Sequence, residues 1–493
     1  MTGTLLLGLL NAAAFMLCVS FVAYVTMIIL PFLRHRPGAV GDGQEFSWHF
    51  VIPCLDEEAV ITATVEHLVR TFPQTQLWCV DDGSTDATPK ILAQLARRHR
   101  QVHVITRKLP AARSGKGPVL NVGWEAIVAS LPAGIDTDRL IVGVLDADAR
   151  LDTAALEVIA GPDYFADPDV GAVQIQVRVT SRPETSGTSR QPLLVRLQDL
   201  EFSGPIAAMQ LLRRRSGSVG MGGNGQFTRL TTLNKIAATH GTPWHGALLE
   251  DFELGLHVLL SGSRTEYCHD AWVEQEGLPR LKALIRQRSR WAQGSMQCFR
   301  YLGPVLRSPS ITTAGALEIA YFLFIPWSQL VGGLVYAASL LVMAYYAVVQ
   351  PGGLDAWLSA GAWGVLPLFL LFGLAPFFVW GPIYRSRSAN HVSRRKAVGL
   401  GVANWIYSYM HYAAVWWAFI RMVRVRHDWK KTVRVATGPV LMPSVGRTAT
   451  VAGGFAPRRG DRLVVPARLR LDPLTLDPLM VDGLVLSATD QAS

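Results

Sequence analysis

The sequence predicts an α/β domain with a mostly parallel sheet, flanked by transmembrane helices. Three observations predict it. Between about residues 47 and 305, short β-rich apolar runs alternate with helical patterns; two acidic motifs, DDG and DAD, each end such a run; and long apolar stretches lie on both sides of this region. Apolar strands separated by helices indicate a sheet covered on both faces.

The chain opens with an apolar run from Leu5 to Leu33, long enough for a bilayer, which takes about 20 residues of helix. No Lys or Arg precedes it and Arg34-His35-Arg36 follow it, so it reads as an anchor with the next domain on the cytoplasmic side. The strand-like runs come next: 49–55, 76–82, 102–107, 139–148 and 171–179, with helices expected from about Glu57, Asp86 and Gly117. Further apolar runs lie at about 320–349, 363–384 and 398–420. The loop at 350–360 carries no Lys or Arg, whereas Arg385, Arg387, Arg394, Arg395 and Lys396 mark the following loop as cytoplasmic. The last run is read either as a span or as an embedded helix returning to the cytoplasmic face. The stretch Leu317 to Trp327 reads as an interfacial helix bent at Pro326. The expected division is an anchor at 1–36, a cytoplasmic domain at 47–305, membrane segments at 313–434 and a disordered tail at 437–493.

Composition agrees with an integral membrane protein. Of 493 residues, 50% are hydrophobic and only 17% charged, too apolar for an ordinary soluble enzyme. The net charge of +10 sits largely beside apolar segments and in the C-terminal tail, and no basic-aromatic module supports nucleic-acid binding. The five cysteines show neither CxxC nor metal-ligand spacing, so no disulfide framework is expected.

Four clusters carry the candidate chemistry. Asp81-Asp82-Gly83 ends a strand, where Gly83 permits a turn, Asp86 can cap the next helix, and Asp82 can accept hydrogen bonds from a nucleobase or ribose. Asp146-Ala147-Asp148 also follows a strand-like run, and two carboxylates at that spacing suit Mg²⁺ or Mn²⁺ shared with substrate phosphates. Glu250-Asp251 opens a helix, where acidic residues favour the macrodipole; Asp251 is the candidate general base, with Glu250 supporting it. Gln287 and Arg290 share a helical face with Trp291 beside them, so Arg290 can grip a diphosphate while Trp291 stacks on a ring. An interfacial helix carrying Lys282, Arg286, Arg288 and Trp291 against headgroups is the competing reading of that cluster. Lys116 in Ser114-Gly115-Lys116-Gly117 can reach phosphate, and Gly222 to Gln226 can form a close-approach loop, although neither has P-loop spacing. His245, His269 and Glu253 show no metal-binding spacing and are expected to be structural.

In order and spacing these motifs resemble the membrane-embedded family-two glycosyltransferases, which include cellulose, chitin, hyaluronan and poly-N-acetylglucosamine synthases. The resemblance runs from about Trp48 to Thr432 through VIPCLDEE, VDDGSTD, GKGPVLNVG, LDAD, LLEDFELG, QRSRW and HDWKKT. It implies a GT-A-type, Rossmann-like domain that inverts configuration while moving a sugar from a nucleotide donor, UDP-linked by expectation. It also implies donor-side roles for Asp56, Asp82, Lys116 and Asp146, metal binding by Asp146 and Asp148, base catalysis by Asp251, and diphosphate and acceptor contacts from Gln287, Arg290 and Trp291. Processive growth of a β-linked polysaccharide with export is expected, the alternative being one sugar added to a lipid-linked acceptor. Four spans would make a narrow conduit, which calls for a homo-oligomer or an accessory membrane subunit. Asp56 stands where relatives commonly have Asn, and Leu249 where many have Thr.

Overall fold

A computed structural model describes residues 2–181, 191–349, 352–359, 369–387 and 392–424. The helix α1 (Thr2–Arg34) leads to β1 (Ser47–Cys54), α2 (Ile61–Thr71), β2 (Gln76–Asp81), α3 (Thr88–Arg98), β3 (Val102–Thr106), α4 (Lys116–Ser130) and β4 (Leu140–Val144). Then come β5 (Arg150–Leu151), α5 (Ala155–Ile159), β6 (Val170–Thr180), α6 (Leu193–Glu201), α7 (Ala207–Ser216), β7 (Gln226–Arg229), α8 (Leu230–His240) and α9 (Glu250–Leu260). The series continues with β8 (Arg264–Glu276), α10 (Leu281–Cys298), α11 (Leu302–Arg307) and α12 (Thr313–Val349). The last described helix is Arg394–Val423.

Successive strand residues point to opposite faces, and β1 buries both. Phe50 and Ile52 join one core with Leu68 of α2 and Leu92 of α3, while Val51 joins another with Leu120 of α4, Leu233 of α8 and Leu254 of α9. The expected strand positions and both helical layers are therefore present. The sheet, however, is mixed rather than mostly parallel. In the order β3-β2-β1-β4-β7-β6-β8-β5, the first four strands are parallel, β7 is antiparallel to both β4 and β6, β8 is parallel to β6, and β5 is antiparallel to β8. Three strands were not expected from the sequence, the two-residue β5 as well as β7 and β8. β7 is only four residues long, and β8 mixes charged with apolar residues, RTEYCHDAWVEQE, so neither forms a plain apolar run.

The departure from parallel pairing positions the site. Because β7 runs against β4, the chain leaving β4 lies beside the chain entering β7. Gly225 donates its N–H to Val144 O at 3.0 Å, and the Asp146 N–H goes to Asn224 Oδ1 at 3.2 Å. Together with the β1 and β2 ends, this gathers the acidic motifs at one edge of the sheet, where open α/β folds bind ligands.

The flanking helices share a core with this domain. Val25, Ile28 and Phe32 of α1 pack with Leu200, Leu211, Trp380, Leu400 and Tyr407. Arg213 of α7 forms a buried ion pair with Glu318 of α12 (2.8 Å), and Tyr24 of α1 donates to the same carboxylate oxygen at 2.9 Å. Among the described residues, Thr313–Val335 within α12 is long and apolar enough to cross a membrane; Cys18–Arg34 is a shorter apolar stretch. The interfacial helix expected before this run is not separate: Pro326 lies inside a continuous α12. A proline removes one helical N–H, and the turns on either side stay bonded. The run expected at 363–384 falls partly outside the described residues, as do HDWKKT and the tail from 437.

Substituting Glu318→Ala would leave the Arg213 charge buried without its ion-pair partner, which costs about 3–5 kcal/mol. The expected outcome is a large fall in the thermal unfolding midpoint of detergent-solubilised protein, whereas Glu58→Ala at an exposed turn should have a much smaller effect.

Candidate functional site

One cavity of about 1090 Å³ takes in Asp82, Lys116, Asp146, Asp148, Glu250, Asp251, Gln287, Arg290 and Trp291. Residues separated by more than two hundred positions thus face one space. Asp56 is not among the lining residues. It is an exposed turn residue with φ of 50°, and its Oδ1 accepts the Thr85 N–H at 2.7 Å, so it ties the first turn to the DDG loop. The residue after it, Glu57, lines the cavity instead.

Asp82 follows β2 and is buried, ion-paired with Arg107. Arg107 also donates to Ala111 O at 2.6 Å and Ser114 Oγ at 3.1 Å, which links the DDG and lysine loops. Gly83 supplies the left-handed turn, at φ 74°. Ala87 is the N-cap of α3, and Asp86 before it accepts the N–H of Thr88, the first helical residue, on its Oδ1 at 2.9 Å.

The DAD carboxylates have different environments. Asp148 is 2% exposed and accepts the Glu276 N–H at the end of β8 (3.0 Å), while Asp146 receives the Lys116 ammonium at 2.8 Å. Lys116 also donates to Gly223 O at 2.6 Å. Burial alone would lower the Lys116 pKa; Asp146, then Glu250 and Asp251, reverse the sign and hold it raised. Two carboxylates lining one cavity supply the oxygen donors that a hard divalent cation takes together with phosphates, so this set fits Mg²⁺ or Mn²⁺.

Glu250 and Asp251 begin α9, and their carboxyl pKa values are both raised. Removal from bulk water is the main cause for each; Asp251 adds to the rise at Glu250, and Lys116 opposes it at both. Both retain partial exposure to the cavity, yet protein surrounds them on the other sides. The helix start offsets part of the cost, since Phe252 N–H donates to Asp251 Oδ1 at 2.7 Å.

Two close approaches fix this geometry. A Cβ on Gly294 of α10 would lie 2.5 Å from Leu249, so α10 can seat its Gln287–Trp291 turn against the start of α9 only with a glycine there. A Cβ on Gly223 would lie 3.0 Å from both Asp251 Oδ2 and Lys116 Nζ. Burial is the leading cause that pulls the Arg290 pKa down, with Arg421 adding to it and Glu250 opposing it.

Several contributors escaped sequence reasoning. Gln174 on β6 donates to Asn224 O at 2.9 Å and accepts the Gly222 N–H at 2.7 Å, and Asn224 donates to Gln275 at 3.2 Å. The signal was present as two glutamines, Gln174 and Gln176, alternating within an apolar run. Behind α9, His245 and His257 share a hydrogen bond of 3.0 Å beside Glu253. The Glu253 oxygens already accept Ala247 N–H, Tyr301 hydroxyl and Arg300, so Glu253 ties α9 to the segments before it and after α10.

With this geometry in place, the comparisons agree on a class. The chain belongs to glycosyltransferase family 2: the "Glycosyltransferase like family 2" model matches residues 48–294. It is similar to the beta-monoglucosyldiacylglycerol synthase of Synechocystis sp., 32% identical over 257 residues, 51% of this chain and 48% of that protein. The poly-beta-1,6-N-acetyl-D-glucosamine synthase of Staphylococcus epidermidis is 22% identical over 247 residues, covering 50% and 53%. The chain spans about half the length of the curated relatives it matches. In fold it resembles a mannosyltransferase of Pyrobaculum calidifontis solved with GDP-Man and Mn²⁺, with a TM-score of 0.53 and 16% identity over 84% of this chain and 96% of that one. A GT-A-like α/β fold with a curled, mixed sheet follows.

Gly223→Ala places a methyl against Asp251 and Lys116 at once. Turnover should fall on the order of 10²-fold, as for an ångström-scale displacement of reacting groups. The thermal midpoint should move little; full activity would show that the loop has room to give.

Proposed function

We propose that the protein transfers a sugar from a nucleotide-sugar donor to a hydroxyl of a membrane lipid. The observation that carries this reading is the mixed lining of the cavity. Asp82, Lys116, Asp146 and Asp148 share it with Phe322, Ile325 and Pro326 of α12 and with Ala414 and Val415 of the last helix. A polar donor and an acceptor with an apolar body can share such a space. The 32% identity to a synthase named for glucosyldiacylglycerol favours the same acceptor class.

In this reading Asp82 receives the nucleoside, Lys116 and Arg290 face the diphosphate, and Asp251 and Trp291 face the acceptor. Asp146 and Asp148 would hold the divalent cation, which when bound neutralises charge on the diphosphate. The acceptor hydroxyl gives its proton to Asp251, and its oxygen forms the new bond to the anomeric carbon. The bond from that carbon to the diphosphate oxygen breaks, and the nucleoside diphosphate leaves with the electron pair. One displacement inverts the configuration. Arg290 suits the leaving group because its guanidinium stays charged even where burial disfavours the charge.

A second reading, processive extension of a polysaccharide, is favoured by Trp291 on the cavity wall, where an indole can stack on a sugar ring. The expected division into an anchor, a cytoplasmic transferase domain and membrane segments stands as part of the proposal in either case. So do the homo-oligomer or accessory subunit and the integral-membrane location. The apolar stretches of α1 and α12 support that location.

Purified protein in detergent–lipid micelles, given labelled UDP-sugars, diacylglycerol and Mg²⁺ or Mn²⁺, should yield a single-sugar glycolipid. A high-molecular-weight glycan would select the second reading, and no transfer to any acceptor would remove both. Asp251→Asn should abolish transfer while nucleotide binding by calorimetry persists; retained turnover would exclude Asp251 as base.

The pH profile provides a separate check. A base with a raised pKa is ionised, and active, only above that raised value, so kcat/KM should climb with pH along a limb lying above the ordinary range near 4 for an aspartate. Lys116 opposes the rise, so Lys116→Met should move the limb to still higher pH. A limb that does not move would contradict the assignment.

A further inference from the structure

Arg288 lies on α10 between Gln287 and Arg290, and the chemistry above gives it no task. A surface arginine there would meet lipid headgroups, yet Arg288 is only 4% exposed. Its Nη2 donates to Glu201 Oε2 at 2.6 Å, and the same oxygen accepts the Tyr407 hydroxyl at 2.6 Å. The guanidinium carbon stands 4.0 Å from the centre of the Trp291 ring. Phe202, the neighbour of Glu201, meets that ring edge-on with centres 6.1 Å apart. His411, one turn beyond Tyr407, lies 3.7 Å from the other Glu201 oxygen.

We infer that Arg288, Glu201 and Tyr407 form a positioning set that fixes the orientation of Trp291 and couples it to the last helix. Arg288 and Trp291 are three positions apart on α10 and share a face, so the guanidinium reaches the ring from its own helix. A buried guanidinium requires its anion, and Glu201 supplies that anion from α6. The Glu201 carboxylate could swing between rotamers if Arg288 were its sole partner; the Tyr407 hydroxyl, from a third element, removes that freedom. The planar guanidinium then has one direction in which to lie, and the indole packs on it. Apart from Arg290, which shares α10, the donor-side residues follow β2 and β4 or begin α4, whereas this set joins α6, α10 and the last helix. Disturbing it should therefore alter acceptor use and spare the donor. That consequence rests on the proposed acceptor role of Trp291; the positioning itself does not.

Tyr407→Phe removes one hydroxyl and keeps the ring. The acceptor KM should rise on the order of fivefold to tenfold, the size expected for a hydrogen bond to a charged group, with the donor KM unchanged. In 5-fluorotryptophan-labelled protein, the ¹⁹F resonance of Trp291, assigned by its loss in Trp291→Phe, should shift in Tyr407→Phe. It should also shift in the charge-balanced pair Glu201→Gln with Arg288→Met, which leaves no lone ion buried. An unshifted resonance in both variants would overturn the inference. Donor and acceptor KM rising together, with a lowered thermal midpoint, would reduce the set to a structural brace and would overturn it too. If Trp291→Ala left the acceptor KM unchanged while the resonance still shifted, positioning would stand and the acceptor reading of Trp291 would fall.

Discussion

A single ammonium set among carboxylates organises this molecule. Lys116 opens α4 with its Nζ on Asp146 and Gly223 O, and Glu250 and Asp251 act on it through space. Without it, Asp146, Asp148, Glu250 and Asp251 would place four acidic groups around one cavity with little to offset their repulsion, and like charges in a poorly hydrated space protonate or move apart. The lysine lets the acidic end stay compact and leaves the Asp251 pKa raised rather than prohibitive. The same residue joins three chain segments that β-pairing alone brings only near one another: the loop after β4, the glycine loop before β7 and the start of α9.

That convergence depends on one topological feature. Four parallel strands would deliver DDG and DAD to the same edge, as any open α/β sheet does, but would supply nothing to close the space opposite them. The antiparallel β7 brings Gly222 to Gly225 back against the end of β4, and β8 returns its last residue, Glu276, to Asp148. The buried amide of Gln174 satisfies the backbone of that loop, accepting the Gly222 N–H and donating to Asn224 O. Helix α10 then seats against α9 across Gly294, which sets the Gln287–Trp291 turn beside the carboxylates.

Much of this was legible from residue patterns. The apolar runs ending in DDG and DAD gave the strands and their chemical ends, because burial on both faces leaves strands without polar alternation. The helical pattern after Glu250-Asp251 gave α9. The short antiparallel β7 was not legible, since four residues carry too little periodicity, and β8 was hidden by its charged positions. In the competing reading Arg288 met lipid headgroups, because sequence gives the charge of an arginine and not the Glu201 that meets it from 87 positions away. Asp56, an acidic residue in a family motif, proved to be a turn partner of Thr85 because its backbone sits at positive φ and its side chain faces the neighbouring loop.

The α/β domain and its flanking helices share one core, with Phe32, Leu200, Leu211, Trp380 and Tyr407 packed together. The cavity therefore lies between the two parts and belongs to both. Acidic and apolar side chains line it together, with Asp251, Arg290 and Trp291 among the lining residues. The most direct measurement is the anomeric configuration of the first glycosidic bond made from an α-linked nucleotide sugar, read by proton NMR on the isolated product. The account predicts a β-bond, formed by one displacement with Asp251 as base. An α-bond would contradict it, because retention would require an intermediate or a face of attack for which this arrangement of carboxylates was not invoked.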